Sequence, residues 1–115
     1  MESSKKVEQI AAILSGKKAQ EILIIHVSDR TILSDYFVIA SANSSTHVTT
    51  LAQEVALKMG QVGIPPLRME GLREGRWVVI DYGDVLVHIF HNEEREFYQL
   101  ERLWADDKNC VSYQD

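Results

Sequence analysis

Two aspartates, Asp81 and Asp84, are the most obvious candidates for chemistry in this sequence. Paired carboxylates can hold Mg²⁺ for phosphoryl transfer. A metal-binding pair on a strand is easily built from positions i and i+2, because these share a face. Asp81 and Asp84 are instead three positions apart with Gly83 between them, which is typical of a tight turn. The spacing therefore favours a structural turn, and we expect no metal and no cofactor at this place.

Histidines and the single cysteine are the next candidates. The four histidines, which could supply zinc ligands or a general base, are His26, His47, His88 and His91. We expect His88 inside a strand and His91 beyond it, and no second pair has ligand spacing. A partly buried histidine with its hydrogen bonds satisfied is the better interpretation of His88. Cys110 has only Lys108 as a basic neighbour, which argues against a reactive thiol.

A polar loop at Ser44, Ser45 and Thr46 precedes a stretch with helical periodicity. The amino end of a helix can cradle a phosphate. Sites of this kind usually need glycine so that the backbone can approach the anion closely, and this loop contains none. Simple N-capping of the helix is therefore favoured, and none of these motifs predicts a catalytic residue.

Three stretches have the apolar periodicity of amphipathic helices. The first covers 5–14 and stops near Gly16, and the second carries a core stripe over 48–59. We expect Asn92 to cap the third helix. The inner face of that helix would be formed by Phe97, Leu100 and Trp104.

Short apolar runs between these helices predict strands. The segment 67–70 is expected to form a short edge strand, and the apolar runs are 22–27, 36–40, 77–80 and 85–90. The segment 81–84 reads as a hairpin turn between the last two, and Pro65-Pro66 forbids helix before the 67–70 segment. The order of elements predicts an α/β fold, in which helices cover mainly one face of a mixed sheet of about five strands.

The composition limits the classes of protein to be considered. The chain has 115 residues, is 45% hydrophobic and carries a formal net charge of −5. We expect one domain over 1–104, followed by an acidic, polar and mobile tail over 105–115. The acidic balance argues against nucleic-acid binding through phosphate neutralisation, and no apolar run approaches the roughly 20 residues that span a bilayer. A single cysteine fits a reducing, cytoplasmic setting.

The second half of the sequence has more large apolar side chains than three short helices are expected to cover. The residues concerned are Met69, Trp77, Tyr82 and Val85. An exposed cluster of this kind would indicate a protein interface, whereas a buried one would be a second layer of core. The pattern fits both interpretations equally well.

Several segments together resemble the ribosomal silencing factor family, also called RsfS or iojap. The resemblance is carried by Glu70-Gly71, the run from Trp77 to Phe90, and the segment Arg95-x-Phe97-Tyr98-x-Leu100-Glu101-x-Leu103-Trp104. Ser34–Ile39 and Asn43–Val48 match the amino-terminal half of the family. The resemblance extends from about the first helix to Trp104. One departure is Ala42, near which some relatives carry glycine.

The resemblance implies a function that the motifs alone do not. Members of the family bind the large ribosomal subunit through its protein number fourteen, on the face that meets the small subunit. They thereby block subunit joining and repress translation when nutrients are limited. The family is not known for enzymatic activity, and its fold is similar to that of nucleotidyltransferases without their catalytic carboxylates.

This resemblance suggests a binding site and two alternative functions. The expected apolar anchor consists of Met69, Trp77, Tyr82 and Val85, and the expected acidic rim of Glu70, Asp81 and Asp84. Basic ribosomal proteins would suit such an acidic domain. We also expect a homodimer in the absence of the ribosome, formed by the sheet face or by the 67–70 edge strand. The alternatives are a Mg²⁺-dependent nucleotidyltransferase-like enzyme and a dimeric adaptor with another partner.

Overall fold

A mixed sheet with helices on both sides organises the chain. The structure is a computed structural model that describes residues 1–114. The helices are α1 (Ser3–Gly16), α2 (Ser45–Gln61), α3 (Asn92–Tyr98) and α4 (Leu100–Trp104). The strands are β1 (Gln20–His26), β2 (Tyr36–Ala42), β3 (Arg68–Glu70), β4 (Trp77–Asp81), β5 (Val85–His91) and β6 (Cys110–Ser112).

The strands lie in the order β3-β4-β5-β2-β1-β6. Only the central pair of β2 and β5 is parallel among the described strands, and the other neighbours are antiparallel. The α/β class with a mixed sheet is confirmed, but the sheet has six strands rather than about five. Within residues 1–114, no helix has the length and apolar character needed to cross a membrane.

Helices α1 and α2 cover one side of the sheet, which we call the helix side. Buried residues of α1 recur at Val7, Ile10 and Leu14, and they belong to the same apolar cluster as alternate residues of the strands such as Val78 and Ile80. Helix α2 begins where the sequence indicated, because the Ser44 hydroxyl accepts the His47 backbone N–H at 3.1 Å. The other side of the sheet, which we call the outer side, has a smaller apolar cluster.

The third predicted helix is interrupted. Gln99 has a left-handed backbone with φ of 48°, so α3 ends at Tyr98 and α4 begins at Leu100. The capping residue is His91, whose Nδ1 accepts the Glu93 N–H at 3.2 Å, and not Asn92 as the sequence suggested.

The break also changes which side chains of this segment face inward. Leu100 and Trp104 pack on the outer-side cluster as expected. Phe97 does not, since 80% of its surface is exposed. The predicted inner face assumed one continuous helix, and the turn at Gln99 rotates Phe97 away from it.

The carboxyl-terminal segment, for which the sequence predicted a mobile tail, contains a short strand. Residues Cys110–Ser112 form β6, which pairs antiparallel with β1. The side chain of Asn109 donates to the Trp104 carbonyl at 2.8 Å and to the His26 carbonyl at 3.1 Å. Arg30 forms an ion pair with Asp106. Backbone pairing and side-chain hydrogen bonds hold this segment, and neither leaves an apolar pattern in the sequence.

Candidate functional site

The candidate site lies on the outer side of β4 and β5, beyond the area that α4 covers. Alternation along β4 places Trp77, Val79 and Asp81 on this side, while Val78 and Ile80 face the helices. Leu86 and His88 of β5 stand opposite Asp81 and Val79 in the antiparallel register. We define the outer patch as Trp77, Val79, Leu86, His88 and Tyr98.

Trp77 is the largest side chain of the outer patch. It is partly exposed, and its ring stacks on Phe90 with a centroid distance of 4.8 Å. The ring centroid of Tyr98, which is half exposed, lies 5.1 Å from that of Trp77. The indole Nε1–H donates to Nδ1 of His88 at 3.2 Å. An aromatic residue that is partly exposed and already held in place is the kind of anchor that dominates protein interfaces.

His88 is a buried histidine in an aromatic setting. It is 7% exposed, and its ring centroid lies 5.0 Å from that of Phe37 and 6.3 Å from that of Phe90. Because an indole N–H can only donate, Nδ1 of His88 is the accepting nitrogen and Nε2 carries the proton. Burial lowers the pKa of His88 to about 4, so the ring is neutral at physiological pH.

The second ring nitrogen of His88 corrects the expectation of a fully satisfied histidine. Nε2 is buried and has no hydrogen-bond partner among the described residues. A buried donor without an acceptor costs about 1–3 kcal/mol. His88 therefore stabilises the folded state less than an apolar side chain at the same position would.

Charged side chains border the outer patch at β3. Asp81 Oδ1 accepts the Gly83 N–H at 2.7 Å, and Asp81 Oδ2 lies 3.4 Å from Nε of Arg68. Glu70 Oε1 lies 3.8 Å from the same nitrogen. Arg68, Glu70 and Asp81 border a cavity of about 200 Å³ whose floor is Val79 and Leu86. The arrangement offers an apolar floor with two carboxylates beside it, which share the Arg68 guanidinium.

A glycine sets the position of β3 relative to the site. Gly71 has φ of 87°, and a Cβ at this position would lie 2.1 Å from the Trp77 carbonyl oxygen. Only glycine permits this close approach of the two backbones. Glu70 is thereby held beside β4.

Helices α3 and α4 bring Tyr98 to the outer patch and are themselves anchored by a buried arginine. Arg95 is 6% exposed and donates from Nη1 to the Glu21 carbonyl at 2.6 Å and to the Ser41 hydroxyl at 3.2 Å. Its Nε lies 3.5 Å from Oε2 of Glu101. Arg95 therefore ties both short helices to β1 and β2, which is the geometric basis of the Tyr98 position.

The seven residues predicted for the site do not form one surface. Trp77, Asp81 and Glu70 lie on the outer side. Tyr82 and Val85 are 6% and 0% exposed and belong to the helix-side core, against which Met69 also packs. The expected single anchor is therefore divided between opposite sides of the sheet.

Asp84 is separated from Asp81 by its contacts. Its Oδ1 lies 2.7 Å from Nζ of Lys6, and its Oδ2 accepts a hydrogen bond from the Ser3 hydroxyl. Burial alone would raise the pKa of the Asp84 carboxyl, but the hydrogen bonds from Lys6 and Ser3 outweigh burial and lower it. Asp84 thus fastens the amino end of α1 to the hairpin. Within residues 1–114, no group of three or more acidic, histidine or cysteine side chains is placed to hold a metal ion.

Sequence reasoning missed four members of the outer patch, namely Val79, Leu86, His88 and Tyr98. Strand alternation was a usable signal for the first three, because they share a side with Trp77 by register. Tyr98 had no such signal, since its position depends on the left-handed turn at Gln99.

Comparisons with known proteins agree with the resemblance in the sequence. The sequence profile of the family described as "Ribosomal silencing factor during starvation" matches residues 1–115. A Bacillus subtilis protein named ribosomal silencing factor RsfS is 42% identical over 96 residues, which cover 84% of this chain and 81% of the relative. A Halalkalibacterium halodurans protein of the same name is 37% identical over 105 residues, 90% of each chain.

A solved structure is similar over the whole chain. The crystal structure of a Chromobacterium violaceum protein matches with a TM-score of 0.90 and 29% identity. The match covers 100% of this chain and 95% of that one. The chain therefore shares its whole fold with a protein of solved structure.

Proposed function

The chain belongs to the ribosomal silencing factor family, and from this premise we propose that it binds the large ribosomal subunit through the outer patch. Its contact there is the large-subunit protein number fourteen. Bound at that place, it blocks association with the small subunit and represses translation when nutrients are limited. The observation that carries the proposal is the partly exposed aromatic and aliphatic surface around Trp77, which helices α1 and α2 leave uncovered.

Steric exclusion fits the size and the surface of the protein. A protein that blocks subunit joining needs only to occupy the joining surface with sufficient affinity, so a mass of 13.1 kDa suffices. Interfaces of standard size bury roughly 800 Å² on each partner. Trp77 and Tyr98 supply aromatic area of the type that forms the energetic centre of such interfaces.

Charge supports a protein contact over a contact with bare RNA. The net charge of −5 repels a phosphate backbone. Ribosomal proteins are generally basic, and the carboxylates of Glu70 and Asp81 beside the outer patch complement them. The proposal therefore includes a protein partner, no membrane, no sequence-specific contact with nucleic acid, and action in the cytoplasm without catalysis.

A subunit-joining experiment tests the proposed function. Purified large and small subunits are mixed with and without the protein and separated on a sucrose gradient. We expect the protein to sediment with the large subunit and to reduce the amount of joined ribosome. Unchanged joining at saturating protein would contradict the proposal.

We extend the proposal to the free protein, which we expect to be a homodimer. The strand β3 lies at one edge of the sheet, and the preceding Leu67 is 72% exposed. An unprotected edge and an uncovered apolar surface both favour self-association. Light scattering at high protein concentration should give twice the monomer mass, and a monomer there would contradict this part.

A further inference from the structure

We propose that His88 is a positioning residue that holds the Trp77 indole in the orientation required for docking. The inference rests on the proposed function, since it concerns how the anchor of the outer patch is prepared for its partner. His88 itself is 7% exposed and acts through the indole.

Among the described contacts of Trp77, the hydrogen bond to His88 is the one that selects an edge of the indole. The rings of Phe90 and Tyr98 lie near the indole ring at centroid distances of 4.8 Å and 5.1 Å. Such ring contacts tolerate a turned indole, because they depend on area and do not distinguish the two edges of the ring. The hydrogen bond from Nε1–H to Nδ1 of His88 at 3.2 Å does distinguish them. It therefore determines which edge of Trp77 faces inward and which edge meets the partner.

The unsatisfied nitrogen of His88 supports a functional reason for the imidazole. Its neighbours on the outer side are the rings of Phe37, Trp77 and Phe90. An apolar side chain would suit such surroundings better than a ring whose Nε2–H lacks a partner among the described residues. Proteins keep locally unfavourable groups where they serve binding or catalysis. The hydrogen bond that Nδ1 of His88 accepts from Trp77 is the role in binding that we assign to this imidazole.

Fixing an anchor before binding increases affinity, because less conformational freedom is lost in the complex. Without the hydrogen bond the indole would sample several orientations in the free protein. Docking would then select one of them, and the apparent affinity would be reduced to the fraction of molecules that have this orientation. The effect requires no contact between His88 and the partner.

Three substitutions at one position separate positioning from direct contact. His88→Leu removes both ring nitrogens. His88→Asn keeps an acceptor oxygen at the place of Nδ1, and His88→Gln keeps a polar group at the place of Nε2. Each variant is measured for its affinity to purified large subunits, its thermal unfolding, and the NMR resonance of the Trp77 indole N–H, which a Trp77→Phe sample assigns.

We expect His88→Leu to remain folded, with a melting temperature equal to or above that of the wild type. Its Trp77 indole resonance should move to the position of a solvent-exposed indole, and its affinity should fall by about tenfold. His88→Asn should keep the Trp77 indole resonance at its wild-type position and bind within about threefold of the wild type. A side chain that served only the core would not produce this combination of retained stability and lost affinity.

Two results would overturn the inference while leaving the proposed function intact. One is wild-type affinity of His88→Leu. The other is rescue by His88→Gln and not by His88→Asn, which would assign His88 a direct contact through Nε2. If the wild-type protein itself fails to bind large subunits, the proposed function fails, and the docking role of His88 fails with it.

Discussion

The two sides of the sheet use neighbouring residues of the same strand for different purposes. On β4, Val78 and Ile80 are fully buried on the helix side, whereas Trp77, Val79 and Asp81 alternate with them and remain partly exposed. The helix side is a closed apolar core, and the outer side is half covered by Leu100 and Trp104. Alternate residues of a strand face opposite sides of the sheet, so the position of a large residue along β4, and not its hydrophobicity, decides whether a partner can reach it.

The largest expected difference between the two sides is in stability. Ile80→Ala removes a fully buried side chain and should lower the free energy of unfolding by about 2–5 kcal/mol. Val79→Ala, one position away on the outer side, should cost less than about 1.5 kcal/mol, because its side chain is already partly in water. Chemical denaturation measures both. Equal costs would show that the outer side is packed as tightly as the helix side.

Acid should destabilise the fold through the buried histidine of the outer side, His88. The pKa of His88 is about 4 in the folded state and 6.5 in the unfolded chain, so between these values the unfolded state binds more protons. The stability is then complete above pH 6.5 and falls as the pH is lowered to about 4. The loss amounts to about 3 kcal/mol.

The control for this pH dependence is His88→Leu, which retains every other titrating group. Urea unfolding at several pH values should give a steeper acid loss for the wild type than for the variant. Parallel curves would mean that His88 titrates in the folded state as it does in the unfolded chain.

Binding should depend on the aromatic residue of one side only. Trp77→Ala should weaken binding to large subunits by about 2 kcal/mol or more, a factor of about 30, as for a central interface anchor. Tyr82→Phe is the matched control on the helix side, where the buried Tyr82 hydroxyl has no partner among the described residues. Its affinity should be unchanged and its stability equal or higher.

Circular dichroism must accompany this pair, so that unfolding of Trp77→Ala is not taken for lost binding. A folded Trp77→Ala protein with wild-type affinity would remove Trp77 from the interface. An affinity loss in Tyr82→Phe would move the contact to the helix side.

The smallest expected effect concerns the acidic border of the outer patch. Asp81→Asn keeps an oxygen for the Gly83 N–H and removes only the charge. The affinity should fall by less than about 1 kcal/mol, and the loss should shrink with added salt. Asp107→Asn, an exposed change in the carboxyl-terminal segment, should have no effect in the same sedimentation assay. Equal effects of the two changes would indicate a general charge contribution rather than a local one.

Most of the fold could be predicted from the sequence. The periodicity of α1 and α2 and the four longer apolar runs were sufficient, because buried positions recur at regular intervals in these elements. Strand β6 was missed, since three residues held by backbone pairing to β1 carry no such pattern. The break at Gln99 was missed because a left-handed non-glycine residue has no sequence signal.

The candidate site was only partly predictable. Trp77, Glu70 and Asp81 lie on one side of the sheet, whereas Tyr82 and Val85, which were grouped with them by proximity in sequence, lie on the other. The hairpin turn separates these residues, and only the register of β4 and β5 shows to which side each belongs. The role of His88 required the three-dimensional distance to the indole.

Site-specific photocrosslinking tests the central claim most directly. A photoreactive phenylalanine analogue is placed at Leu86 in the outer patch, and in a second sample at Leu57, which is 58% exposed on α2. Irradiation in the presence of large subunits should link the first protein, and not the second, to protein number fourteen. A crosslink from Leu57 with none from Leu86 would contradict the account.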